Sequence, residues 1–128
     1  MHIIAKIFFF RNHKGKKHYL VIIKDTTTFN IRSLEQKLKQ GKLSFASEKR
    51  LLKYLGLRPG SVSPFGLIND DTNHVHVFID HQLQEAKKIS FHPNDNTASV
   101  VLEYSDFIKY LNSSGNTYEY IDPSPKND

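Results

Sequence analysis

Two strongly apolar runs near the N-terminus constrain the fold most. Residues 3–11 read IIAKIFFFR and residues 18–24 read HYLVIIK, and both are rich in β-branched and aromatic side chains. Such composition is typical of strands. The segment between them, NHKGK, contains Gly15, which can adopt the positive φ of a tight turn. The two runs therefore predict a β-hairpin, and a chain that begins in this way must build a sheet.

The rest of the chain mixes helical and strand patterns. We expect a helix from Asn30 or Ser33 to Gln40, a second from the Ser47 cap to about Gly56, and a third that Gly115 ends. Further strands are predicted at 65–69, 74–80, 89–91, 98–102 and 118–121, and residues 43–46 form a connector or a short strand. This order favours an α+β domain on a mixed, curved sheet flanked by helices over a doubly wound parallel fold. We assign the domain to residues 1–121 and expect residues 122–128 to be a disordered polar tail.

Composition excludes several classes of site. The 128 residues include no cysteine, which rules out disulfides, thiolate zinc sites and cysteine nucleophiles. The longest apolar run, residues 7–10, is far shorter than the roughly 20 residues of a membrane helix, and no secretory signal is evident. We therefore expect a cytoplasmic protein without a membrane partner. A net charge of +5 indicates an anionic partner such as nucleic acid, although charge alone is weak support.

Lys6 interrupts the first apolar run, and its role has two interpretations. It is either an edge-strand lysine whose ammonium reaches water, or a lysine aimed into a cleft where it meets an anion such as phosphate. The local sequence favours the first.

The loop RPGSVSPFG, residues 58–66, also has two interpretations. It is either a plain connection or the wall of a pocket. Gly60 and Gly66 have no side chain, so a ligand could lie close to the main chain, and Ser61 adds a short hydroxyl. A wall stiffened by Pro59 and Pro64 would select a ligand by its size.

Two other polar segments are candidates. His74 and His76 would point to the same face of a strand, but no third ligand at a recognisable spacing supports a metal site, and we predict none. The segment FHPNDNT, residues 91–97, is either a hydrogen-bonded turn or a pocket rim that holds His92 and Asn96. No nucleophile elbow, P-loop, dinucleotide fingerprint or zinc-protease motif is present.

Three long segments together resemble one family. These are LSFASEKRLLKYLGLRPGSVSPFGLIND, HVHVFID and ISFHPNDNTASV. They are similar to the YbaK/prolyl-tRNA synthetase-associated editing domain, and above all to its stand-alone alanyl-tRNA(Pro) deacylases, the PrdX-type prolyl-tRNA editing proteins. The resemblance implies a partly barrel-like mixed sheet and a metal-independent, cofactor-free ester hydrolase. It would act in trans on Ala-tRNA(Pro), so the implied partners are the tRNA acceptor end and, indirectly, prolyl-tRNA synthetase.

The resemblance also implies roles for individual residues. Lys6, in KIFFFR, matches a family lysine that engages the phosphate backbone at the acceptor end. Gly60 and Pro64 match a GxxxP loop that shapes the aminoacyl pocket, and Ser61 and Phe65 belong to the same substrate-binding segment.

A second set of implied roles lies in the FHP motif. There His92 matches a histidine that limits the pocket and positions substrate, so we count Lys6, Gly60 and His92 as the catalytic residues. Asn96 and Thr97 are expected to support it.

Two departures from the family pattern leave alternatives open. The family has asparagine after the lysine, whereas this chain has Ile7, so the substrate could be Cys- or Ser-charged tRNA. Fewer residues precede Lys6 than in the family, and a homologue with an uncovered sheet could bind tRNA without cleaving it. Such a module would show salt-dependent binding through residues such as Lys14, Lys16 and Lys17.

Overall fold

The protein is built on a mixed sheet of seven strands. The structure, a computed structural model, describes residues 1–91 and 100–125. The strands are β1 (His2–Arg11), β2 (His18–Lys24), β3 (Ser44–Phe45), β4 (His76–Asp80), β5 (Lys88–Phe91), β6 (Val101–Glu103) and β7 (Tyr118–Ile121). The α-helices are α1 (Ile31–Leu38), α2 (Glu48–Leu55) and α3 (Tyr104–Ser114), and two 3₁₀ helices span Pro64–Asn69 and His81–Glu85.

The predicted N-terminal hairpin is confirmed. Strands β1 and β2 pair antiparallel, with Ala5 opposite Lys24 and Arg11 opposite His18. The buried side chain of Asn12 organises the turn, because its Oδ1 accepts backbone N–H groups of the turn. Such side-chain acceptors are a usual way of satisfying turn amides.

The other pairings make the sheet mixed. Its order is β6-β5-β1-β2-β4-β7, and β3 pairs with β1 outside this path. Strand β1 runs parallel to β5, and β4 runs parallel to both β2 and β7. The sheet does not close on itself. The predicted α+β class, a mixed sheet flanked by helices, is confirmed.

Helices cover both faces of the sheet. Side chains alternate along a strand, so β1 and β2 each contribute to two apolar clusters. Leu20 and Ile22 pack in the cluster that contains buried residues of α2 and α3. Val21 and Ile23 pack in the cluster with Leu34 of α1. Burial on both faces explains why β2 is almost continuously apolar.

The caps predicted for two helices are present. Asn30 accepts a hydrogen bond from the Ser33 amide at the start of α1, and Ser47 accepts one from the Arg50 amide at the start of α2. Gly56 ends α2 with φ of 64°, as expected of a glycine C-cap. The first helix ends at Leu38, before the predicted Gln40.

The strand predicted at residues 65–69 is wrong, because Pro64–Asn69 forms a 3₁₀ helix. Proline suits the first turn of a helix, and Ser63 Oγ caps it by accepting the Phe65 amide at 3.0 Å. A β-carbon at Gly66 would lie 2.8 Å from the Leu55 carbonyl oxygen. The segment therefore packs tightly against the end of α2.

The first residues of the predicted tail pack against the domain. Pro123 is buried, and its carbonyl oxygen accepts the Asn30 amide at 2.8 Å. This contact ties the chain after β7 to the start of α1. In the described parts of the chain, no helix is both long and apolar enough to cross a membrane.

Candidate active site

A cleft of about 630 Å³ opens beside β1. On the edge of β1 opposite β2, β5 pairs only as far as Ala5, and β3 pairs only with Phe10 and Arg11. Between them, residues 6–9 have no strand partner on this edge within the described chain. The cleft is lined by residues 6–9 of β1, by Phe45, Ala46, Ser47, Glu48 and Leu51, and by Pro59, Gly60 and Val62.

Lys6 brings a positive charge to this cleft. It is half-buried, and its Nζ lies 6.0 Å from the centre of the Phe8 ring. Strand β1 lies inside the sheet, but at Lys6 its edge has no strand partner within the described chain, so the lysine lies at a local edge and also lines the cleft. No carboxylate among the described residues lies within 4.0 Å of its ammonium. A lysine ammonium of this kind suits an anionic ligand such as phosphate.

A tight turn forms the opposite wall of the cleft. The Ser61 amide donates to the Arg58 carbonyl at 3.0 Å, and Gly60 has φ of 88°. Proline followed by a glycine with positive φ is typical of a type II turn. Pro59 and Gly60 both line the cleft. Main chain without a β-carbon therefore forms this part of the wall.

Pro64 and Phe65 lie behind the turn and hold it in place. Pro64 is buried, and its carbonyl accepts the Tyr110 hydroxyl at 3.0 Å. The Phe65 ring packs edge-on against Phe91 and Tyr110, at centroid distances of 5.7 and 5.4 Å. Neither residue is among those that line the cleft, and the exposed Ser61 is not among them either. The structure thus brings Lys6 and Gly60 together and places the other three behind or beside the turn.

The remaining predicted site residues, His92, Asn96 and Thr97, lie outside the described residues. The described chain before them ends at Phe91. Phe91, the last residue of β5, pairs with Ala5, the residue before Lys6.

The sequence did not predict that residues of β3 and of the start of α2 line the cleft. Phe45 lines the cleft with 68% of its surface exposed, and Ser47 and Glu48 line it as well. The segment LSFASEKR belongs to a stretch that resembles the family, but this resemblance gives no role to its residues. The sequence signal that could have indicated this role is the aromatic residue Phe45 in the short connector between α1 and α2.

A second polar cluster lies on the other side of α2. The His18 and His74 rings are joined by a 2.9 Å hydrogen bond, and Arg50 approaches His18 Nε2 at 3.1 Å. Since a guanidinium only donates, His18 Nε2 accepts and its Nδ1–H donates to His74. The Tyr54 ring stacks on His74 at 4.5 Å. Burial, followed by the charges of His74, Arg50, Lys53 and Arg11, lowers the pKa of His18 to about 4.

This pKa predicts acid sensitivity. An unfolded histidine has a pKa near 6.5, so between about pH 6.5 and pH 4 the unfolded state binds a proton that folded His18 excludes. The contribution of His18 to stability should fall as the pH drops through this window and become constant below it. Urea denaturation at several pH values measures the effect, and His18→Gln should flatten the slope. An equal slope in that variant, with the exposed His13→Gln as control, would contradict the assignment.

His74, just before β4, and His76, the first residue of β4, contact different partners. His74 contacts His18, whereas His76 contacts Thr117 Oγ1 at 2.6 Å and Glu119 Oε1 at 3.1 Å. Across residues 1–91 and 100–125, no group of three or more histidine, aspartate or glutamate side chains could hold a metal ion.

Comparison with known proteins identifies the class. A family model described as aminoacyl-tRNA editing domain matches residues 1–110. The chain therefore belongs to the aminoacyl-tRNA editing domain family. This confirms the resemblance and the enzyme class that it implies, an aminoacyl-tRNA deacylase.

Two relatives and one solved structure are similar to most of this chain. The chain is 45% identical over 119 residues to prolyl-tRNA editing protein ProX of Acetoanaerobium sticklandii, covering 93% of this chain and 73% of that protein. It is 30% identical over 115 residues to prolyl-tRNA synthetase associated domain-containing protein 1 of Bos taurus, covering 87% and 67%. A crystal structure described as a candidate trans-editing enzyme for prolyl tRNA synthetase superposes with a TM-score of 0.69. That match covers 96% of this chain and 71% of the other at 17% identity, so it speaks to the fold alone.

Proposed function

We propose that this protein hydrolyses Ala-tRNA(Pro) in trans and so corrects an error of prolyl-tRNA synthetase. The observation that carries the proposal is the shared cleft of Lys6 and Gly60, which is lined by a cation and by bare main chain. Family membership and the similarity to a prolyl-tRNA editing protein support the reaction class and the tRNA. Because a synthetase site cannot strongly reject an amino acid smaller than its own, a second site must remove it.

Lys6 would anchor the acceptor end. Its ammonium is a compact charge suited to a phosphate group. The Phe8 ring, whose centre lies 6.0 Å from Lys6 Nζ, reduces screening by water. A phosphate held here fixes the position of the terminal ribose and of the ester attached to it.

The turn at Gly60 would hold the reacting ester. A main chain without a β-carbon lets the carbonyl approach closely, and amide donors near it would stabilise the developing oxyanion. Water attacks the ester carbonyl and the bond to the ribose oxygen breaks. The ribose oxygen takes up a proton, which releases alanine and tRNA.

The reaction does not require a side-chain nucleophile. The aminoacyl ester is already activated, and the neighbouring 2′-hydroxyl of the terminal adenosine can assist the water. Positioning can then supply much of the rate enhancement. In this proposal His92 closes the pocket, with Asn96 and Thr97 as support, and no metal takes part.

Selection by size would depend on the stiffness of the turn. Pro59 restricts φ, and the Tyr110 hydroxyl holds the Pro64 carbonyl from behind. A wall fixed in this way resists expansion around a proline ring while admitting a methyl group. The neighbouring Ile7 is buried in the core, so its side chain brings no polar group to the substrate.

A deacylation panel tests the proposal. Purified protein is mixed with tRNA(Pro) carrying alanine or proline and with tRNAs carrying cysteine or serine, with and without EDTA. We expect rapid release of alanine that EDTA does not change, and slow release of the other amino acids.

Two outcomes would redirect the assignment. Faster release of cysteine or serine would assign the cleft to another editing substrate, in keeping with Ile7. Salt-dependent tRNA binding without any ester cleavage would indicate a non-catalytic tRNA-binding module.

A further inference from the structure

Phe45 stands apart from the other aromatic side chains of the protein. The chain contains nine phenylalanines and six tyrosines, and all of them lie in the described residues. Fourteen are buried or half-buried, whereas Phe45 is 68% exposed. An exposed phenylalanine at a random surface position needs no explanation, but this one lines the cleft that contains Lys6.

The Phe45 ring is also held in place. Phe45 is in β3, and its backbone pairs with Phe10 of β1. The amide of the following residue, Ala46, donates to the Phe9 carbonyl at 3.0 Å. The ring lies 5.0 Å from the Phe10 ring and meets the Phe8 ring edge-on at 6.0 Å. It is therefore supported from behind and presented to solvent at the cleft. A ring fixed before the ligand arrives loses little entropy on binding.

The surroundings of Phe45 indicate the chemistry of the ligand. A flat apolar surface that shares a cleft with a lysine ammonium suits a molecule that carries both an aromatic ring and a phosphate. Nucleotides combine the two, and stacking on an aromatic side chain is a general way of binding an unpaired base. The cleft volume of about 630 Å³ is in the range of small-molecule sites and can take a nucleoside with its ester.

We propose that Phe45 is the platform on which the adenine of the 3′-terminal adenosine stacks while Lys6 holds the adjoining phosphate. The inference rests on the proposed function, and it adds a base-binding subsite to it. Phe45 would position the substrate and take no part in bond cleavage.

Kinetics of Phe45 variants provide the first test. Stacking on one base is worth a factor of roughly five to 150 in affinity, so Phe45→Ala should raise the half-saturating concentration by that factor. The rate constant at saturation should change little, because the lost contact exists in both ground and transition states. Phe45→Trp should bind about as tightly as wild type. Phe45→Leu should bind as weakly as Phe45→Ala, since leucine keeps apolar area without a π-face. Leu52→Ala removes an equally exposed apolar side chain of α2 that does not line the cleft, and it serves as control.

Two amide analogues test the base directly. One is 3′-deoxy-3′-(alanylamino)adenosine, and the other carries the same alanylamino ribose with a methoxy group in place of adenine. NMR titration should show that wild-type protein prefers the adenine analogue. Phe45→Ala should lose that preference while binding the base-free analogue as wild type does.

The results separate this inference from the proposed function. Activity of the wild-type protein together with unchanged half-saturation in Phe45→Ala would overturn the stacking role and leave the deacylase assignment intact. An altered oligomeric state in Phe45→Ala with unchanged analogue binding would also overturn it, because the ring would then be a protein contact. If the protein cleaved no ester, a preference for the adenine analogue that depends on Phe45 would still support the subsite.

Discussion

Replacing Lys6 by alanine is expected to remove most of the deacylation of Ala-tRNA(Pro). The cleft would keep its shape but lose the charge that we assign to the phosphate. Losing one partner of a desolvated charged contact costs about 2–5 kcal/mol, which corresponds to a loss of roughly 30- to 5,000-fold in kcat/KM. Lys6→Met should be as inactive as Lys6→Ala, because it keeps the length of the side chain without the charge.

Controls make this result specific. Lys109 is an exposed lysine of α3 that does not line the cleft, and Lys109→Ala should remain fully active. Thermal denaturation should show that the Lys6 variants are folded. Near-normal turnover by folded Lys6→Ala would remove Lys6 from the mechanism.

Replacing Gly60 by alanine should have the second large effect. At φ of 88° an L side chain is strained, at a cost of about 1–2 kcal/mol, and the added methyl group would occupy the bare wall. We expect a fall in kcat/KM of about tenfold or more, and a larger fall for Gly60→Val, because the ester can no longer lie against the main chain.

Gly41 offers a matched control for backbone strain. Its φ is 79°, it does not line the cleft, and a β-carbon there would lie 2.8 Å from His13 Cβ. Gly41→Ala should therefore lower the melting temperature while the protein that remains folded keeps its activity. If Gly60→Ala and Gly41→Ala lost stability to a similar extent and both stayed active, the wall at Gly60 would have no role in catalysis.

Local patterns in the sequence were sufficient for the elements near the site. The hairpin of β1 and β2 follows from two apolar runs and a glycine turn, and α2 follows from the Ser47 cap and Gly56. These features depend on residues close together in the chain. The 3₁₀ helix at Pro64–Asn69 was missed because an apolar run shorter than two helical turns does not distinguish a strand from a helix.

The cleft itself could not be derived from local patterns. In the described chain it lies between the end of β5, opposite Ala5, and the end of β3, opposite Phe10, and such long-range registers leave no periodic signal in the sequence. Only the family resemblance related Lys6 to Gly60 before the structure did. Phe45 was missed for the same reason, since its importance depends on which residues surround it in space.

The most direct test of the account is a crystal structure with 3′-deoxy-3′-(alanylamino)adenosine, which cannot be hydrolysed. We predict that the alanyl group lies in the cleft against the main chain of Gly60, with the ribose 5′ side towards the Lys6 ammonium. Binding of the analogue at the groove lined by Lys16, His18 and His74, or anywhere else outside the Lys6–Gly60 cleft, would contradict the account.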